Sequence, residues 1–307
     1  MQSKIEHPSV AIIVINWNNY FYTSGCLDSL RQIDYPNYKV IVVDNGSHDG
    51  SDVQLEAIYP EILLLRNENN KGFTGGNNRG IEWALNNGFD YLMLLNNDTE
   101  VEPDFLSELI RGIEGDLTIG AIQPKFYFLS NKELVWNAGG KIIKSLGVVQ
   151  TIGVNNKSNQ KLETSGETAW ITGCGFLVRS SIIKKIGGLN ERFFMYYEDV
   201  DWSLKIKSLG YKLWYCPSSI VYHEAGVSNK SEVGKEGVLN PQVHYFAARN
   251  NLLLLRKYTP WYFIPTVTMF QMAKYASYIS YFLVRKRFIK IRSICKGLKD
   301  GLSTNGL

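Results

Sequence analysis

The chain has 307 residues, of which 45% are hydrophobic and 20% charged, and its 33 basic and 29 acidic side chains give a formal net charge of +4. That length can hold one α/β domain with an appendage and a sizeable core, and the composition excludes disordered, collagen-like and disulfide-scaffold proteins. The four cysteines lie far apart without a zinc-binding spacing, so we expect a reduced, cytoplasmic compartment.

The first hundred residues contain four short apolar runs rich in branched side chains. Such runs are typical of strands buried on both faces of a parallel sheet, and the first is too short for the apolar core of a signal peptide. Segments with helical spacing at 22–32 and 76–87 lie between them, so the alternation predicts a doubly wound α/β sheet. The predicted strands are 10–15, 39–43, 62–65 and 91–95.

Polar residues follow each of these strands, at the point where the apolar run ends. Because ligands of open α/β sheets bind beyond the carboxyl ends of the strands, these residues predict one ligand site at that edge of the sheet. The alternative is that the loops are polar only because they are exposed. The residues are Asn16, Asp44, Arg66, Asn67, Asn96, Asn97 and Asp98.

The middle of the chain is less regular. We expect a helix at 103–113 with Pro103 in its first turn, where proline loses no hydrogen bond. An apolar, glycine-containing strand is predicted at 170–178, followed by a short helix that ends before Gly187. A further helix is predicted at 199–209, and the polar segment 155–167 is predicted to be an exposed loop.

The C-terminal segment is aromatic, and the spacing at 244–257 and 261–284 predicts helices. The second of these is as long as a membrane span. Its apolar sequence is interrupted by Pro265, Gln271 and Lys274, so we expect a helix that lies in a membrane interface.

The positive charge of the chain comes from its end. From Arg285 onward seven basic residues are opposed only by Asp300, which gives this tail a charge of +6 and leaves residues 1–284 at −2. Because each basic residue near an anionic lipid surface contributes about 1 kcal/mol, the tail predicts peripheral membrane contact. A nucleic-acid partner is then not needed to explain the charge.

Two polar loops could bind a nucleotide. Asp44 follows the second predicted strand and suits hydrogen bonding to a ribose or a base edge. The alternative is that this aspartate forms a turn or caps a helix and binds no ligand. The loop 69–80 contains Gly72, Gly75 and Gly76, which let the backbone approach a ligand at a helix N-terminus. This loop matches neither the dinucleotide-binding pattern nor the P-loop, and an ordinary glycine turn is the alternative.

Three further positions could carry chemistry. Asp98 follows a buried strand, where a carboxylate can hold a divalent cation that takes its other ligands from phosphates. Asp199 and Asp201 open a predicted helix behind an aromatic run and are candidates for a general base, but the helix dipole also explains acidic residues there. His223 ends an apolar strand as either a metal ligand or a structural histidine.

Taken in order, these motifs resemble those of the family 2 glycosyltransferases with the GT-A fold, and in particular the rhamnosyltransferase-like enzymes of bacterial polysaccharide synthesis. The resemblance covers residues 9 to about 255 and a C-terminal KGLKDGL. The motifs are VINWNN, VDNGSHDGS, NKGFTGGNNRGI, LLNNDT, GGLNERFFMYYEDVDWSLK and VYHEAGVS.

The resemblance implies a mainly parallel central sheet with flanking helices and a C-terminal helical extension. It places a catalytic domain at 1–240, with a donor-binding half at about 1–100 and an acceptor-binding half at about 101–240. The remaining residues, 241–307, form the aromatic and basic extension that we expect to associate with a membrane.

The resemblance also implies roles for single residues. Asp199 has the position of the catalytic base, and Glu198 helps to place the acceptor. Asp98 and His223 have the positions of ligands to Mg²⁺ or Mn²⁺, although Asn96 stands where the D-x-D metal motif has its first aspartate, which puts strict metal dependence in question.

The implied substrate-binding residues surround the nucleotide sugar. Asn16, Asn18 and Asp44 lie around the base and ribose, and Arg249 contacts the leaving diphosphate. The others are Asn45, Lys71, Gly72, Gly75, Asn77, Asn78, Asn97 and Gly173.

The expected function is inverting transfer of a sugar from dTDP-rhamnose or a UDP-hexose to a hydroxyl of a glycan acceptor. We expect that acceptor to be lipid-linked, the process to be cell-surface polysaccharide synthesis, and the enzyme to be peripheral on the inner face of the cell membrane. A sugar-nucleotide nucleotidyltransferase would need a glycine-rich basic loop after the first strand, where this chain has NWNNY. A catalytically silent carbohydrate- or membrane-binding subunit would not need Asp98, Asp199 and His223.

Overall fold

The computed structural model describes residues 7–224, 226 and 239–304. Contacts divide this part of the chain into two compact units. The first unit comprises 7–141, 151–194 and 198–224, and the second comprises 142–150, 195–197, 226 and 239–304. The assignment of catalysis to 1–240 and of membrane association to 241–307 stays a prediction.

Four parallel strands form one part of the central sheet of the first unit, in the order β3-β2-β1-β4. The four strands predicted from the apolar runs are confirmed, each within one residue at either end. They are β1 (Val10–Asn16), β2 (Tyr38–Asp44), β3 (Leu63–Arg66) and β4 (Tyr91–Leu95).

Helices cover both faces of these strands: α1 (Tyr20–Leu30), α2 (Ser51–Ile58) and α3 (Gly72–Asn86). Side chains alternate between the faces of a strand, so Ile12 packs in the same cluster as Leu27 of α1, whereas Ile13 packs with Ile81 of α3. Burial on both faces is the reason that the strands are apolar throughout. The sequence pattern missed α2, because only Ser51 and Leu55 of this short helix are buried.

The rest of the sheet is mixed. Beyond β4 the order continues with β12 (Gly175–Arg179), β6 (Ile119–Phe128), β7 (Leu134–Asn137) and β10 (Asn156–Lys157). The long strand β13 (Lys212–His223) runs parallel to β6 and antiparallel to β5 (Thr99–Val101), which places His223 opposite Thr99. This pairing brings the end of β13 to the residues that follow β4. Strand β11 (Gly166–Glu167) also pairs with β13, whereas β8 (Gly140–Ile143) and β9 (Val148–Thr151) form a separate two-stranded sheet.

The first unit also contains α4 (Phe105–Glu114), α5 (Ser180–Ile186) and α6 (Glu198–Ser208). These confirm three predicted helices, but Pro103 precedes α4 and is not in its first turn. The carbonyl of Pro103 accepts a hydrogen bond from the backbone N–H of Asp34, outside the helix. The predicted loop 155–167 is mostly exposed, yet it contributes two short strands and a buried Leu162.

The prediction of a continuous strand at 170–178 was wrong in its first half. The backbone N–H groups of Ile171, Thr172 and Gly173 donate to the side chains of Ser203, Gln123 and Asp199. Amide groups bound by side chains are not available to a strand ladder, so regular pairing begins only at Gly175.

The second unit contains α7 (Pro241–Tyr258), α8 (Ile264–Val284) and α9 (Phe288–Ser303). The KGLKDGL motif lies on α9, and its glycines allow the backbones of α7 and α9 to approach closely. A Cβ atom at Gly297 would lie 2.4 Å from the carbonyl oxygen of Tyr245, and one at Gly301 would lie 2.8 Å from that of Arg249. The basic tail is therefore mostly a packed helix, and one of its cations, Lys290, is buried.

Within the described residues, no helix has the length and apolar character that a membrane crossing requires.

Candidate active site

The carboxyl ends of β1 and β2 bring Asn16 and Asp44 together. The two residues are paired across the strands, and both are buried. The amide of Asn16 donates to Asp44 Oδ1 at 2.9 Å and to Ser51 Oγ at 2.8 Å, while Asp44 Oδ2 accepts from the backbone of Ser47 at 3.0 Å. Hydrogen bonds thus hold this carboxylate at the edge of the sheet where the sequence predicts a ligand.

Thr23 of α1 links this pair to the end of β4. Its hydroxyl donates to Asn16 Oδ1 at 2.8 Å and accepts from Asn97 Nδ2 at 2.8 Å. The strand ends are therefore joined by one chain of side-chain hydrogen bonds. Sequence reasoning missed Thr23, because a buried threonine in a helix has no motif of its own.

The loop after β1 is tied to the loop after β2. Asn18 has a positive φ of 50°, a conformation that asparagine tolerates better than most residues. Its side-chain oxygen accepts from the backbone of His48 at 2.7 Å, and its own N–H donates to Ser47 Oγ at 2.9 Å.

Asn45 fixes the glycine loop that leads into α3. Its amide nitrogen donates to the carbonyl of Gly72 at 3.1 Å, and its oxygen accepts from the backbone of Lys71 at 3.1 Å. Gly72 has φ +72°, and a Cβ atom there would lie 2.5 Å from the carbonyl oxygen of Phe194. Only glycine satisfies both the left-handed backbone and this close approach.

The other predicted residues of α3 make bonds within the first unit. The amide of Asn77 donates to the carbonyl of Phe73 one turn earlier at 2.9 Å. Asn78 donates to the carbonyl of Leu189 at 2.9 Å and accepts from its N–H at 2.8 Å, so it holds the turn before Glu191. A Cβ atom at Gly75 would meet the Cβ of Lys71 at 2.6 Å. Their predicted contacts with the nucleotide sugar stay predictions.

Asp98 and His223 form a buried pair, with Asp98 Oδ1 and His223 Nε2 separated by 3.1 Å. Within the described residues, neither of these atoms nor His223 Nδ1 has a hydrogen-bond partner with suitable geometry. Burial raises the pKa of Asp98, but the neighbouring His223 and the hydrogen bonds of the carboxylate to its own backbone and to Asn96 together lower it overall.

Buried polar atoms without partners are costly, and two ligand-type atoms that converge in this way suit a shared cation. The described part of the chain contains no cluster of three or more such side chains that could hold a metal ion. The donor set therefore fits an ion that takes two protein ligands and its remaining ligands from phosphate and water.

Glu198 and Asp199 begin α6. Asp199 accepts from two backbone N–H groups, that of Gly173 at 3.0 Å and that of Val200 at 2.8 Å. Burial raises the pKa of Asp199 to about 6, although these two donors oppose the rise. Burial and the charge of Asp199 raise the pKa of Glu198 well above its usual value. Both shifts favour the protonated forms, and the charge of Asp199 disfavours a second charge on Glu198.

Cys174 connects the base candidate with the metal candidate. Burial raises the pKa of its thiol, and the charges of Asp98, Asp199 and Glu198 raise it further. The carboxylates that follow β4 and that begin α6 therefore act electrostatically on the same side chain. Sequence reasoning did not select Cys174, because its neighbours come from distant parts of the chain.

Arg249 lies on α7 in the second unit. Its Nε donates to Asn250 Oδ1 at 2.8 Å, and its guanidinium group lies 5.0 Å from the ring centroid of Phe246. Its contact with a leaving diphosphate stays a prediction. In the VYHEAGVS motif, Ala225, Val227 and Ser228 lie outside the described residues.

Comparison with known proteins identifies the first unit. The family model described as "Glycosyl transferase family 2" matches residues 11–187, more than half of the chain.

Two curated relatives transfer rhamnose according to their names. The N-acetylglucosaminyl-diphospho-decaprenol L-rhamnosyltransferase of Mycobacterium tuberculosis is 28% identical over 201 residues, which cover 60% of this chain and 66% of that protein. The dTDP-rhamnosyl transferase RfbF of Shigella flexneri is 21% identical over 257 residues, 81% of this chain and 80% of that protein. The chain spans less than two thirds of several relatives, and only 25% of an uncharacterized protein of Sinorhizobium fredii.

Two solved structures share the fold. GalNAc-T7 with UDP, GalNAc and Mn²⁺ has a TM-score of 0.59 at 15% identity, over 82% of this chain and 48% of that one. The mannosyltransferase PcManGT of Pyrobaculum calidifontis, in complex with GDP-Man and Mn²⁺, has a TM-score of 0.55 at 16% identity, over 99% of this chain and 77% of that one. The predicted GT-A fold with a C-terminal helical extension is confirmed.

Proposed function

The chain belongs to glycosyl transferase family 2, and from this membership we propose that it transfers a sugar from a nucleoside-diphosphate sugar to a hydroxyl group of a glycan acceptor in polysaccharide synthesis. The observation that carries the proposal is the half-buried Asp199, which two backbone N–H groups hold and whose pKa is raised to about 6. A carboxylate with such a pKa is ionised at neutral pH and basic enough to accept a proton in the transition state.

Asp199 acts as the general base. It accepts the proton of the acceptor hydroxyl while that oxygen attacks the anomeric carbon, and the nucleoside diphosphate leaves from the opposite face. A single displacement inverts the anomeric configuration. The raised pKa of Glu198 favours its protonated form, and in that form it can donate a hydrogen bond that places the acceptor.

Asp98 and His223 would hold Mg²⁺ or Mn²⁺, whose charge supplies electrostatic stabilisation to the leaving diphosphate. The Mn²⁺ in both related structures supports this proposal. Because Asn96 provides no carboxylate, binding depends on these two residues and on the diphosphate itself.

The names of the relatives support dTDP-rhamnose as the donor, with UDP-hexoses as the alternative. The substrate in the name of the mycobacterial relative is a lipid diphosphate, which supports a lipid-linked glycan as the acceptor. An acceptor of this kind would be met at the inner face of the cell membrane.

The surface of α8 supports a peripheral membrane contact. In this helix only Val267, Gln271, Tyr275 and Phe282 are buried, and they form one narrow stripe. Most of the exposed remainder is apolar, and the exposed cations Arg285 and Lys286 follow the helix directly. We propose an anionic lipid bilayer as its partner, since a helix of this composition binds lipid by apolar burial and by charge together.

Replacing Asp199 with asparagine tests the base. We expect Asp199→Asn to lower kcat by about 10²–10⁴-fold, since this is the usual contribution of a general base. Donor binding, measured by calorimetry, should stay within about twofold because the base acts on the acceptor. Release of nucleoside diphosphate in the presence of acceptor measures kcat, and unchanged turnover would rule out this assignment.

Replacing the metal pair tests the cation site. We expect Asp98→Asn and His223→Ala each to weaken donor binding in the presence of Mn²⁺, because each removes one of two protein ligands. Chelator should weaken donor binding to the unmodified protein and have little further effect on the variants. Equal binding with and without chelator in the unmodified protein would contradict the metal site.

A further inference from the structure

The backbone directly before Glu198 and Asp199 is strained. Phe194, Tyr196 and Tyr197 have φ values of +62°, +69° and +70°. For residues other than glycine a left-handed conformation costs about 1–2 kcal/mol each, and it persists only where surrounding groups hold it. Three such residues within four positions therefore need partners that fix the backbone between them.

Asn250 of α7 is such a partner. Its side chain is fully buried, and its amide nitrogen donates to the carbonyl oxygens of Met195 at 2.7 Å and Tyr196 at 3.0 Å. The opposite end of the amide accepts from Arg249 Nε at 2.8 Å, which fixes its orientation. Both hydrogens of one amide group thus hold two successive carbonyls of the strained segment.

The preceding residue is held within the first unit. The carbonyl of Phe194 accepts from the backbone N–H of Thr74 at 3.1 Å. The carbonyls that Asn250 holds are those of residues 195 and 196, and Tyr197 alone separates them from Glu198, the first residue of α6. A change of backbone angles at Tyr196 or Tyr197 moves the Cα atoms of Glu198 and Asp199 with it.

We propose that Asn250 is a positioning residue for the Glu198–Asp199 carboxylates and acts through the backbone of residues 195–197. This inference rests on the proposed function, in which Asp199 is the base. A displacement of about 1 Å at a reacting group can cost about 10²-fold in rate, so two hydrogen bonds to the backbone before the base can control turnover without touching substrate.

The neighbouring Asn251 is a matched control. It is the same residue type on the same helix and is also buried, but its amide donates to Gln271 Oε1 of α8 at 2.9 Å. If Asn250 had only a general role in stability, equivalent substitutions at the two positions would have similar effects on turnover.

The test uses the full chain with Asn250→Asp, which keeps the shape of the side chain but removes both donated hydrogens. We expect kcat to fall by at least about tenfold with donor affinity within about twofold, because the base is displaced while the nucleotide loops are not. Hydrogen exchange of the peptide that covers 193–199 should become faster. Asn251→Asp should leave kcat and this exchange near their values in the unmodified protein, even if it lowers Tm equally.

Asn250→Ser is a milder variant in case Asn250→Asp does not fold. It keeps one shorter donor, and we expect an intermediate loss of kcat and intermediate exchange. A kcat within twofold of the unmodified protein in either folded variant of Asn250, or an equal loss in Asn251→Asp, would overturn the positioning role.

Asp199→Asn, measured in parallel, separates the two proposals. If this variant keeps full turnover, the proposed base is wrong, and so is the inference that Asn250 positions it. If it is inactive while Asn250→Asp keeps full turnover, the base stands and only the positioning role is wrong.

Discussion

Burial raises the pKa values of the two carboxyl groups at the start of α6. Glu198 and Asp199 are adjacent carboxylates, and desolvation raises both pKa values. Asp199 accepts two backbone N–H donors that favour its ionised form, whereas Oε2 of Glu198 has no hydrogen-bond partner among the described residues. The two backbone donors therefore favour the charge on Asp199, and that charge in turn raises the pKa of Glu198.

The pKa of Asp199 predicts the pH dependence of transfer. The base must be ionised, and its pKa is raised from 3.8 to about 6, so kcat/KM should fall as the pH drops below about 6. The measurement is the rate of nucleoside diphosphate release between pH 5 and 8. Donor binding by calorimetry over the same range is the control, because a loss of donor affinity would imitate this result. A rate that does not change from pH 8 to 5 would contradict Asp199 as the base.

Sequence could predict these residues only where a motif carries them. Asp98, Asp199 and His223 were selected from strand ends, a helix start and the family resemblance. Thr23 and Cys174 were not, because each is recognisable only by neighbours from distant segments. A buried side chain that acts by joining elements leaves no periodic signal in the sequence.

At the scale of elements, the junction of the glycine loop with α3 depends on one residue. Gly72 combines a left-handed backbone with a close approach to Phe194. Gly88, which follows the C-terminal end of α3, has nearly the same backbone at φ +77°, but no atom lies within 4 Å of the position of an added Cβ. Comparison of these two glycines therefore separates the energetic cost of a left-handed backbone from the cost of a steric clash at Cβ.

Alanine substitution at these glycines should have unequal effects. We expect Gly88→Ala to destabilise the fold by about 1 kcal/mol, the cost of a left-handed alanine, and Gly72→Ala by at least about 2 kcal/mol more because its Cβ meets a backbone oxygen at 2.5 Å. Denaturant unfolding measures the difference. Donor affinity should fall only in Gly72→Ala, and equal losses of stability in both variants would contradict the steric argument.

Elements were predicted well where a single physical signal dominates. Strands β1 to β4 are apolar on both faces, so the sequence located their ends within one residue. The short helix α2 buries too few side chains for a periodic pattern, and residues 171–173 use their N–H groups on side chains from other elements. Neither exception could be predicted without the tertiary contacts.

At the scale of the whole molecule, α8 presents an apolar surface to the solvent. Most of its apolar side chains are exposed, including Met269 at 70% and Met272 at 69%, and Trp261 just before it is 81% exposed. Contiguous apolar side chains that are exposed to solvent often mark an interaction site. The cations at its end favour an anionic surface as the partner.

The full chain should therefore bind vesicles that contain phosphatidylglycerol at low salt. We expect less binding at high salt, and much less in Met269→Glu/Met272→Glu, because both the charge and the apolar contributions are needed. Leu117→Glu is the matched control, since Leu117 is 74% exposed in the first unit. Cosedimentation measures binding.

Two results would contradict the membrane contact. One is an unmodified protein that ignores anionic vesicles at low salt. The other is a dimer, seen by analytical ultracentrifugation, that the methionine variant disrupts while vesicle binding is unchanged. The second result would identify another copy of the chain as the partner of α8.

The sequence by itself determined the fold class, the parallel strands and the family, because apolar runs and ordered motifs are properties of local sequence. Only the tertiary structure decided how the parts work together. The pairing of β13 with β5 brings His223 to Asp98. Burial raises the pKa values of Glu198 and Asp199. Asn250 donates hydrogen bonds to the backbone of the residues that precede this pair. These features depend on distances between residues that are far apart in the chain, and local sequence does not contain such distances.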